Sequence, residues 1–500
     1  MSRPLVVLAA IVAVGAILRF WQLRAGVPYS LGVDEPQIMD RAVRMMKTAD
    51  FNPHFFDWPS LTIYLQFVVA CLSFMWGAMH GTWNNLDQVS AANFYVTGRA
   101  LTAAMGSGTV LLTFCAARRW GTVTGLLAAA LMALMPYHVR ESHYVLADVP
   151  TAFFTTLAWL LSMRALERPT FSAFAWAGVS AGLAASCKYN GSIALLMPLL
   201  AAIITGGTPG RIVQRLVTIV AAAGAAFLVG TPYALLDLPS FLNDYARLAA
   251  IFARSRGGEP GWSIYLKHLR GSMGTPGLVL AALGIVIAAT RVALGPARAR
   301  WAVLLVFPLV YFDVMATSFQ IYGRYTLPLL PFTCAFAAIA IVTLATALWA
   351  MPIPRAVALA TAAALILGTA MTPAATSISF DRNLGRITTV DQAYRWIRGN
   401  VDRGTRVVIE TRVLLIPPER NPSENLRALV ERDYQYYVDQ KVDYLVASTD
   451  GYDALFTNPA APAPGFDNYR SLLVHTTELA SFTRTGTVDG PTLRILKLNR

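Results

Sequence analysis

Apolar stretches long enough to cross a bilayer recur along this chain from residue 5 to about residue 372 and then stop. A membrane-spanning helix needs about 20 consecutive, mostly apolar residues. The composition agrees, because 55% of the 500 residues are hydrophobic and only 14% are charged, whereas a soluble protein carries about 25% charged residues. The sequence therefore predicts a polytopic α-helical membrane protein with about 11 spans, near residues 4–22, 95–117, 122–138, 150–166, 171–187, 190–205, 216–234, 276–290, 301–318, 325–349 and 356–372.

The end of the apolar runs predicts two domains, a membrane-embedded domain at residues 1–373 and a soluble tail at residues 374–500. The tail contains 16 Lys/Arg and 15 Asp/Glu, so nearly all of the net charge of +13 lies in the membrane half. Positive charge there sets the orientation of the spans, and nucleic acid is not an expected partner. All four cysteines lie in apolar segments, so neither a disulfide framework nor a cysteine-based metal site is predicted.

The placement of Lys and Arg predicts the topology. With Arg3 in the cytoplasm and strict alternation, the cytoplasmic segments hold 11 basic residues and one acidic residue, Glu167. Residues 61–79 are also apolar enough to span, but a further span there would reverse every later loop. We therefore predict an interfacial helix at 61–79, within a first outer loop at residues 23–94. The protein is then integral to a bacterial inner or plasma membrane, and its C-terminal domain is extracytoplasmic.

The tail has the pattern of a small α/β domain. Residues 391–400 have helical spacing and residues 406–410 resemble a strand, while 422–440 read as a second helix and 442–448 as a second strand. Helix, strand, helix, strand predicts paired parallel strands. No glycine-rich phosphate loop or cluster of metal ligands is visible, which favours a scaffold or acceptor-recognition domain.

Two adjacent carboxylates, Asp34 and Glu35, follow the first apolar stretch. Their ordinary interpretation is a polar loop with Glu35-Pro36 at a helix start, because acidic residues favour the first turn and proline fits the first helical position. Other charged residues predicted on the same face favour a functional interpretation. The residue pattern alone does not choose between the two carboxylates as a catalytic base.

Three further charged residues lie at the edges of apolar runs on that face. Asp148 opens a helix in which a charge costs about 2.5–3.5 kcal/mol on insertion scales, so it caps the helix, has a partner or has a function. Lys188 either extends its amine to the interface or binds a lipid phosphate. Arg324, next to Tyr325, carries a guanidinium fork that suits phosphate oxygens. Two more candidates are Arg99 and Arg140.

Carboxylates that can accept a proton, beside cations that can hold a phosphate, suit group transfer from a phosphate-linked donor. The competing prediction is a polytopic transporter or flippase for lipid-linked sugars, which also has many spans and intramembrane charges. Transporters often contain an internal repeat, and no convincing repeat is visible. A pure scaffold would leave the clustered charges unexplained.

The chain resembles the polyprenyl-phosphate-sugar glycosyltransferases of the GT-C fold, including the protein O-mannosyltransferase and aminoarabinose-transferase families. The resemblance covers residues 1 to about 350, in order. It rests on the Asp34-Glu35 pair and on five stretches: NPHFFDWPSLTIYL (52–65), RALTAAMGSGTVLLTFCAARRWG (99–121), HYVLADVP (143–150), GLAASCKYNG (182–191) and GRYTLPLLP (323–331).

The resemblance implies an inverting transfer of a sugar from a polyprenyl or dolichyl phosphate to a glycan, lipid or protein acceptor. Asp34 would be the general base, and Glu35 would orient or electrostatically tune it. Lys188 and Arg324 would hold the lipid phosphate, and Asp148 would position a substrate.

Four more residues are predicted to contact substrate: Tyr325, Arg99, His54 and His143. The two histidines give weak support to a divalent metal near the carboxylates, which stays an open alternative. No other cofactor is implied.

Overall fold

A computed structural model describes residues 3–499 apart from residues 28–31, 33, 255–257, 296, 411–413, 415, 417–419, 427, 453–463 and 487. Its contacts divide the chain into two compact units. One unit comprises Met1–Leu23 and Gln37–Asp381, and the other comprises Arg24–Pro36 and Arg382–Arg500. The predicted domain boundary at residues 373 and 374 falls inside a helix, Arg355–Leu384.

The first unit is helical. Its helices are α1 Arg3–Phe20, α2 Glu35–Thr48, α3 Leu61–Met79, α4 Tyr95–Ala117, α5 Thr122–Leu134, α6 Pro136–Glu141, α7 Asp148–Glu167, α8 Phe171–Cys187, α9 Leu196–Ile204, α10 Pro209–Gly230, α11 Tyr233–Leu236, α12 Leu238–Phe252, α13 Gly261–Leu294, α14 Arg298–Ala316, α15 Leu330–Ala350 and α16 Arg355–Leu384. Five 3₁₀ segments join them, at Leu86–Gln88, Ala91–Asn93, Arg118–Trp120, Tyr189–Leu195 and Gly323–Leu329.

Within the described residues, nine helical segments are long and apolar enough to cross a membrane, and three shorter apolar helices accompany them. Every predicted span coincides with one of these twelve, which confirms the prediction of a polytopic helical membrane protein. The twelfth is α3, whose 19 residues meet the same length and composition criteria. Its orientation therefore has to be argued from contacts rather than from hydropathy.

Small residues allow close packing of α8 against α10. A Cβ atom added at Gly178 would lie 2.5 Å from the carbonyl oxygen of Ile219, and one at Gly182 would lie closer still to the carbonyl oxygen of Ala223. Close approach of backbones at small residues is a main source of helix association in membranes. This packing fixes the position of α8 and of Lys188, which follows its last residue.

Hydrogen bonds from Arg19 connect α1 to the end of α5. Its guanidinium is fully buried and donates to the carbonyl oxygens of Met132 (3.1 Å) and Ala133 (3.0 Å). The last carbonyls of a helix lack partners within the helix, and the arginine supplies donors to two of them, although the carbonyl oxygen of Met132 also accepts from the backbone N–H of Met135 at 3.4 Å. Its Nε atom also lies 3.3 Å from Nδ1 of His138 in α6, which fixes the start of the segment leading to Asp148.

The second unit contains a five-stranded sheet in the order β2-β1-β3-β5-β4. Strand β1 pairs in parallel with β2 and β3, which confirms the predicted parallel pair, and β5 pairs antiparallel with β3 and β4. Its elements are α17 Thr389–Asn400, β1 Val407–Ile409, β2 Ser423–Asn425, α18 Tyr434–Asp439, β3 Tyr444–Ser448, α19 Pro464–Val474, β4 Thr476–Phe482 and β5 Leu493–Leu498.

The prediction of one helix at residues 422–440 is wrong. Residues 423–425 form β2, and only 434–439 form an α-helix, which Asp433 caps by accepting from the backbone N–H of Tyr436 (2.8 Å). Leu429 and Tyr437 have the spacing of a buried helix face, but they cover the sheet from separate short segments. Pairing with the β1 backbone decides the conformation here, because tertiary contacts override local propensity.

Candidate functional site

Asp148 is the first residue of α7, and Ala147 occupies the position before it. The carboxylate is buried, with 6% of the side chain exposed. Its Oδ1 atom accepts a hydrogen bond from Nζ of Lys188 at 2.6 Å, and its Oδ2 atom lies 3.9 Å from Nε of Arg324. Two cations on one buried carboxylate give Asp148 the partners that a charge at the mouth of an apolar helix needs.

Lys188 and Arg324 each lie where an α-helix is interrupted. Lys188 follows α8 in an extended conformation, with φ −156° and ψ 137°, before the 3₁₀ segment Tyr189–Leu195. Arg324 lies in the 3₁₀ segment Gly323–Leu329, just before α15. These breaks direct both side chains toward the start of α7, although the three residues are far apart in the chain.

Tyr325 supplies an aromatic face to this group. Its ring centroid lies 4.1 Å from Nζ of Lys188 and 5.9 Å from the guanidinium carbon of Arg324. Cations at such distances are attracted to the ring quadrupole. The carbonyl oxygen of Tyr325 accepts from the hydroxyls of Tyr265 (2.5 Å) and Tyr311 (3.0 Å). These two buried tyrosines fix the backbone that carries Arg324.

Glu141 is a further acidic residue of this site that the sequence analysis missed. It is buried and accepts from Nε of Arg140 at 2.8 Å. Burial raises the pKa of Glu141, Arg140 and Arg324 oppose that rise, and the negative charge of Asp148 adds to it. We call Asp148, Lys188, Arg324, Tyr325 and the pair Arg140–Glu141 the Asp148 cluster.

Arg99 lies apart from these contacts. It is buried in α4, and its Nη1 atom donates to the carbonyl oxygen of Leu23 at 2.9 Å. Its guanidinium carbon lies 5.4 Å from the ring centroid of Tyr144. These contacts tie Arg99 to the turn after α1 and to the segment before α7, and substrate contact by Arg99 stays a prediction.

The two predicted histidines have separate partners. His54 is exposed, and its Nε2 atom lies 2.9 Å from Oδ2 of Asp50. His143 is buried, and its Nδ1–H donates to the carbonyl oxygen of Val139 at 2.9 Å, while Nε2 lies 3.7 Å from Oδ1 of Asp381. Burial lowers the pKa of His143 to about 4. Among the described residues no three His, Cys, Asp or Glu side chains gather as metal ligands.

By their contacts Asp34 and Glu35 belong to the second unit, whereas α2 from Gln37 onward belongs to the first. Asp34 is half-buried in a turn, and Glu35 is fully buried as the first residue of α2. The backbone N–H of Gly32 donates to Oε2 of Glu35 at 2.7 Å, and the backbone N–H of Glu35 donates to the carbonyl oxygen of Gly32 at 3.0 Å. The predicted helix start at Glu35-Pro36 is confirmed, and Glu35 holds the turn in which Asp34 lies.

Comparison with known proteins shows what this chain is similar to. Residues 37–242 match the model of the dolichyl-phosphate-mannose-protein mannosyltransferase family. The structure resembles the apo oligosaccharyltransferase of Archaeoglobus fulgidus with a TM-score of 0.61 and 14% identity, over 90% of this chain and 70% of that one. It also resembles ArnT from Cupriavidus metallidurans in the apo state, with a TM-score of 0.58 and 15% identity, over 98% of this chain and 97% of that one.

The fold is that of the GT-C glycosyltransferases. A further resemblance, with a TM-score of 0.56 and 14% identity over 98% of this chain and 97% of the other, is to ArnT bound to undecaprenyl phosphate. The structures confirm the predicted fold, and the family match confirms the predicted class of enzyme, a glycosyltransferase. A comparison with curated proteins finds no match.

Proposed function

We propose that this protein transfers a sugar from a polyprenyl or dolichyl phosphate to an acceptor on the extracytoplasmic side of a membrane. The observation that carries the proposal is the Asp148 cluster, in which Lys188 and Arg324 meet beside the aromatic face of Tyr325. Amine and guanidinium donors suit phosphate oxygens. The family matched by residues 37–242 uses dolichyl-phosphate-mannose, as its name states, and this supports a lipid-phosphate donor.

In this proposal Asp34 is the general base. It accepts the proton of an acceptor hydroxyl while the acceptor oxygen attacks the anomeric carbon of the donor. The bond between that carbon and the phosphate oxygen breaks, the configuration inverts and the lipid phosphate leaves as an anion. Lys188 and Arg324 stabilise its charge. Glu35 supports Asp34 through its hydrogen bond with Gly32, and no separate general acid is needed because the leaving group is a stable anion.

Contacts of α3 support the extracytoplasmic placement of the first outer loop. Just before α3, the backbone N–H of Ser60 donates to the hydroxyl of Thr231, which follows α10. Near its other end Gly77 packs against Trp83, whose ring lies 5.7 Å from that of Phe94, the residue before α4. Our topology places the end of α10 and the start of α4 on the same side. Because one end of α3 lies beside the end of α10 and the other beside the start of α4, we infer that α3 lies along one interface and does not cross the membrane.

The test is single-turnover transfer from a saturating, labelled lipid-phosphate sugar. Asp34→Asn keeps the size of the side chain but cannot accept a proton, so the rate should fall by about 10²–10⁴-fold while donor binding is retained. Glu35→Gln should have a smaller effect. The matched control is Asp87→Asn, because Asp87 is an exposed carboxylate of the same outer loop.

Two outcomes would contradict the assignment. A near-normal rate for Asp34→Asn beside an inactive Glu35→Gln would show that the base is the other member of the pair. Movement of the labelled lipid between the leaflets of a vesicle, without formation of a glycosylated acceptor, would instead indicate a flippase.

A further inference from the structure

A cavity lies away from the Asp148 cluster, where two connections of the helical unit meet the middle of α15. It has a volume of about 250 Å³ and is lined from the connection between α4 and α5, the end of α13, the start of α14 and the middle of α15. Trp120 and Trp301 bring the two connections together, with their ring centroids 5.4 Å apart. Our topology places both connections on the cytoplasmic side, and indole rings favour the depth of the membrane interface.

The lining of this cavity is amphipathic. Arg291, which is exposed, and the hydroxyl of Thr343 provide hydrogen-bond donors, while Ile287 and Ile339 provide apolar walls. The hydroxyl of Thr124 also lines the cavity and donates to the carbonyl oxygen of Trp120 at 3.2 Å. A charged donor over an apolar wall suits a molecule that has an anionic head and a hydrocarbon tail. Basic pockets between membrane helices on the cytoplasmic side commonly bind such lipid head groups.

The surrounding charge is strongly positive. The parts of the lining elements near the cavity, residues 118–135, 284–312 and 330–354, contain no Asp or Glu, and Asp313 lies toward the opposite end of α14. The nearby acidic residue, Glu167, is already engaged by Arg119, whose Nε and Nη2 atoms donate to its two oxygens at 2.7 and 3.1 Å. Arg300, next to Trp301, donates to the carbonyl oxygen of Arg119 at 3.3 Å. The cavity therefore combines an arginine with an environment that lacks a compensating acid.

We propose that this cavity binds the phosphate of an anionic phospholipid from the cytoplasmic leaflet, with Arg291 as the principal contact and Thr343 as a second donor. The glycerol and the first methylene groups of the lipid lie against Ile287, Ile339 and Trp301. This site is separate from the donor site proposed above, and its test does not depend on transfer activity.

The experiment is a lipid titration of the purified full chain, followed by native mass spectrometry. The probes are phosphatidylglycerol, phosphatidylcholine and inorganic phosphate. The variants are Arg291→Gln and Thr343→Val, and the matched control is Arg211→Gln, because Arg211 is an exposed arginine in the first turn of α10, on the same predicted side. Circular dichroism and thermal unfolding establish that each variant is folded.

We expect one phosphatidylglycerol per chain, bound about ten-fold more weakly by Arg291→Gln and more weakly by Thr343→Val, with Arg211→Gln unchanged. An equal loss in Arg211→Gln would mean diffuse attraction and would overturn the site. Phosphatidylcholine binding as tightly as phosphatidylglycerol would overturn the charge selectivity. Inorganic phosphate binding as tightly as the lipid would show a simple anion site and overturn the assignment to a lipid.

Discussion

Removing either partner of the ion pair between Asp148 and Lys188 should lower the free energy of unfolding. Removing both should lower it by less than the sum of the two single losses. The pair is short, at 2.6 Å, and largely buried, with side-chain exposures of 6% and 18%. Loss of one partner from a buried pair costs about 3–5 kcal/mol because the other charge is left uncompensated. The remaining contacts at this site reduce that figure unequally for the two residues.

Lys188→Met leaves Asp148 with Arg324, which lies 3.9 Å away and is too distant for a hydrogen bond in this arrangement. We expect a loss of about 3 kcal/mol in the free energy of unfolding. Asp148→Asn leaves Lys188 against the ring of Tyr325 at 4.1 Å and keeps an amide oxygen as acceptor. We expect about 2 kcal/mol for that variant. The double variant should lose about 3 kcal/mol, which gives a coupling energy of about 2 kcal/mol.

The assay is reversible unfolding of the four proteins in detergent micelles, measured by tryptophan fluorescence. A double variant that loses the sum of the single effects, within about 0.5 kcal/mol, would refute the reasoning, because independent sites are additive to that degree. The conservative variant Lys188→Arg serves as a control for charge, since it keeps a cation at this position.

The same four proteins distinguish two roles of Lys188. If Lys188 holds the donor phosphate, Lys188→Met raises the KM for the lipid-phosphate sugar by at least about ten-fold. The double variant then does not regain the lost donor affinity. If Lys188 only neutralises Asp148, the double variant regains much of the donor affinity that Lys188→Met loses. Recovery in the double variant would remove Lys188 from the proposed phosphate site.

Two further predictions concern stability. The pKa of His143 is lowered from 6.5 to about 4 by burial, so the unfolded chain binds the extra proton first, and the contribution of His143 to stability falls by up to about 3 kcal/mol as the pH drops from about 7 toward 4. In urea titrations His143→Gln should therefore gain stability relative to the wild type as the pH falls over this range, and a difference between the two proteins that does not change with pH would contradict the prediction. Thr388 and Asp391 form a capping box at α17, so Thr388→Ala should lower the stability of the C-terminal unit by about 1 kcal/mol, whereas Thr388→Ser should restore most of it in the same unfolding assay.

The sequence predicted the helical spans because the constraint is strong. Every backbone polar group in a bilayer must be satisfied within the protein, so long apolar runs leave few alternatives to helices. Similar reasoning indicated that Asp148 caps its helix, has a partner or has a function, since a charge at the mouth of an apolar helix is costly. Hydropathy did not identify which partner, because Lys188 and Arg324 reach Asp148 through helix breaks that only the fold brings together.

Other parts of the fold carried weaker signals. Glu141 is preceded by Arg140 in a polar segment, and such adjacent charges are ordinary in surface loops, so only its burial distinguishes it. Strand β4 lies at the edge of the sheet, and most of its side chains are exposed, so the alternation that marks a half-buried strand is weak. Both features depend on long-range packing and not on local pattern.

Buried carboxylates accompany the cations of the Asp148 cluster, whereas, in the part of the chain that the structure describes, none accompanies Arg291 in its cavity. This difference affects how tightly each place can hold an anion. In the Asp148 cluster three cations meet two buried carboxylates, and Tyr265 and Tyr311 fix the backbone of Tyr325. The cations are therefore held in place before any ligand arrives, so little ordering remains to oppose binding of a phosphate. In the proposed function, the carboxylates limit the excess of positive charge, which would favour release of the lipid phosphate after transfer. The cavity of Arg291 lacks such carboxylates, and an anion there should be retained instead of exchanged, as expected for a structural lipid.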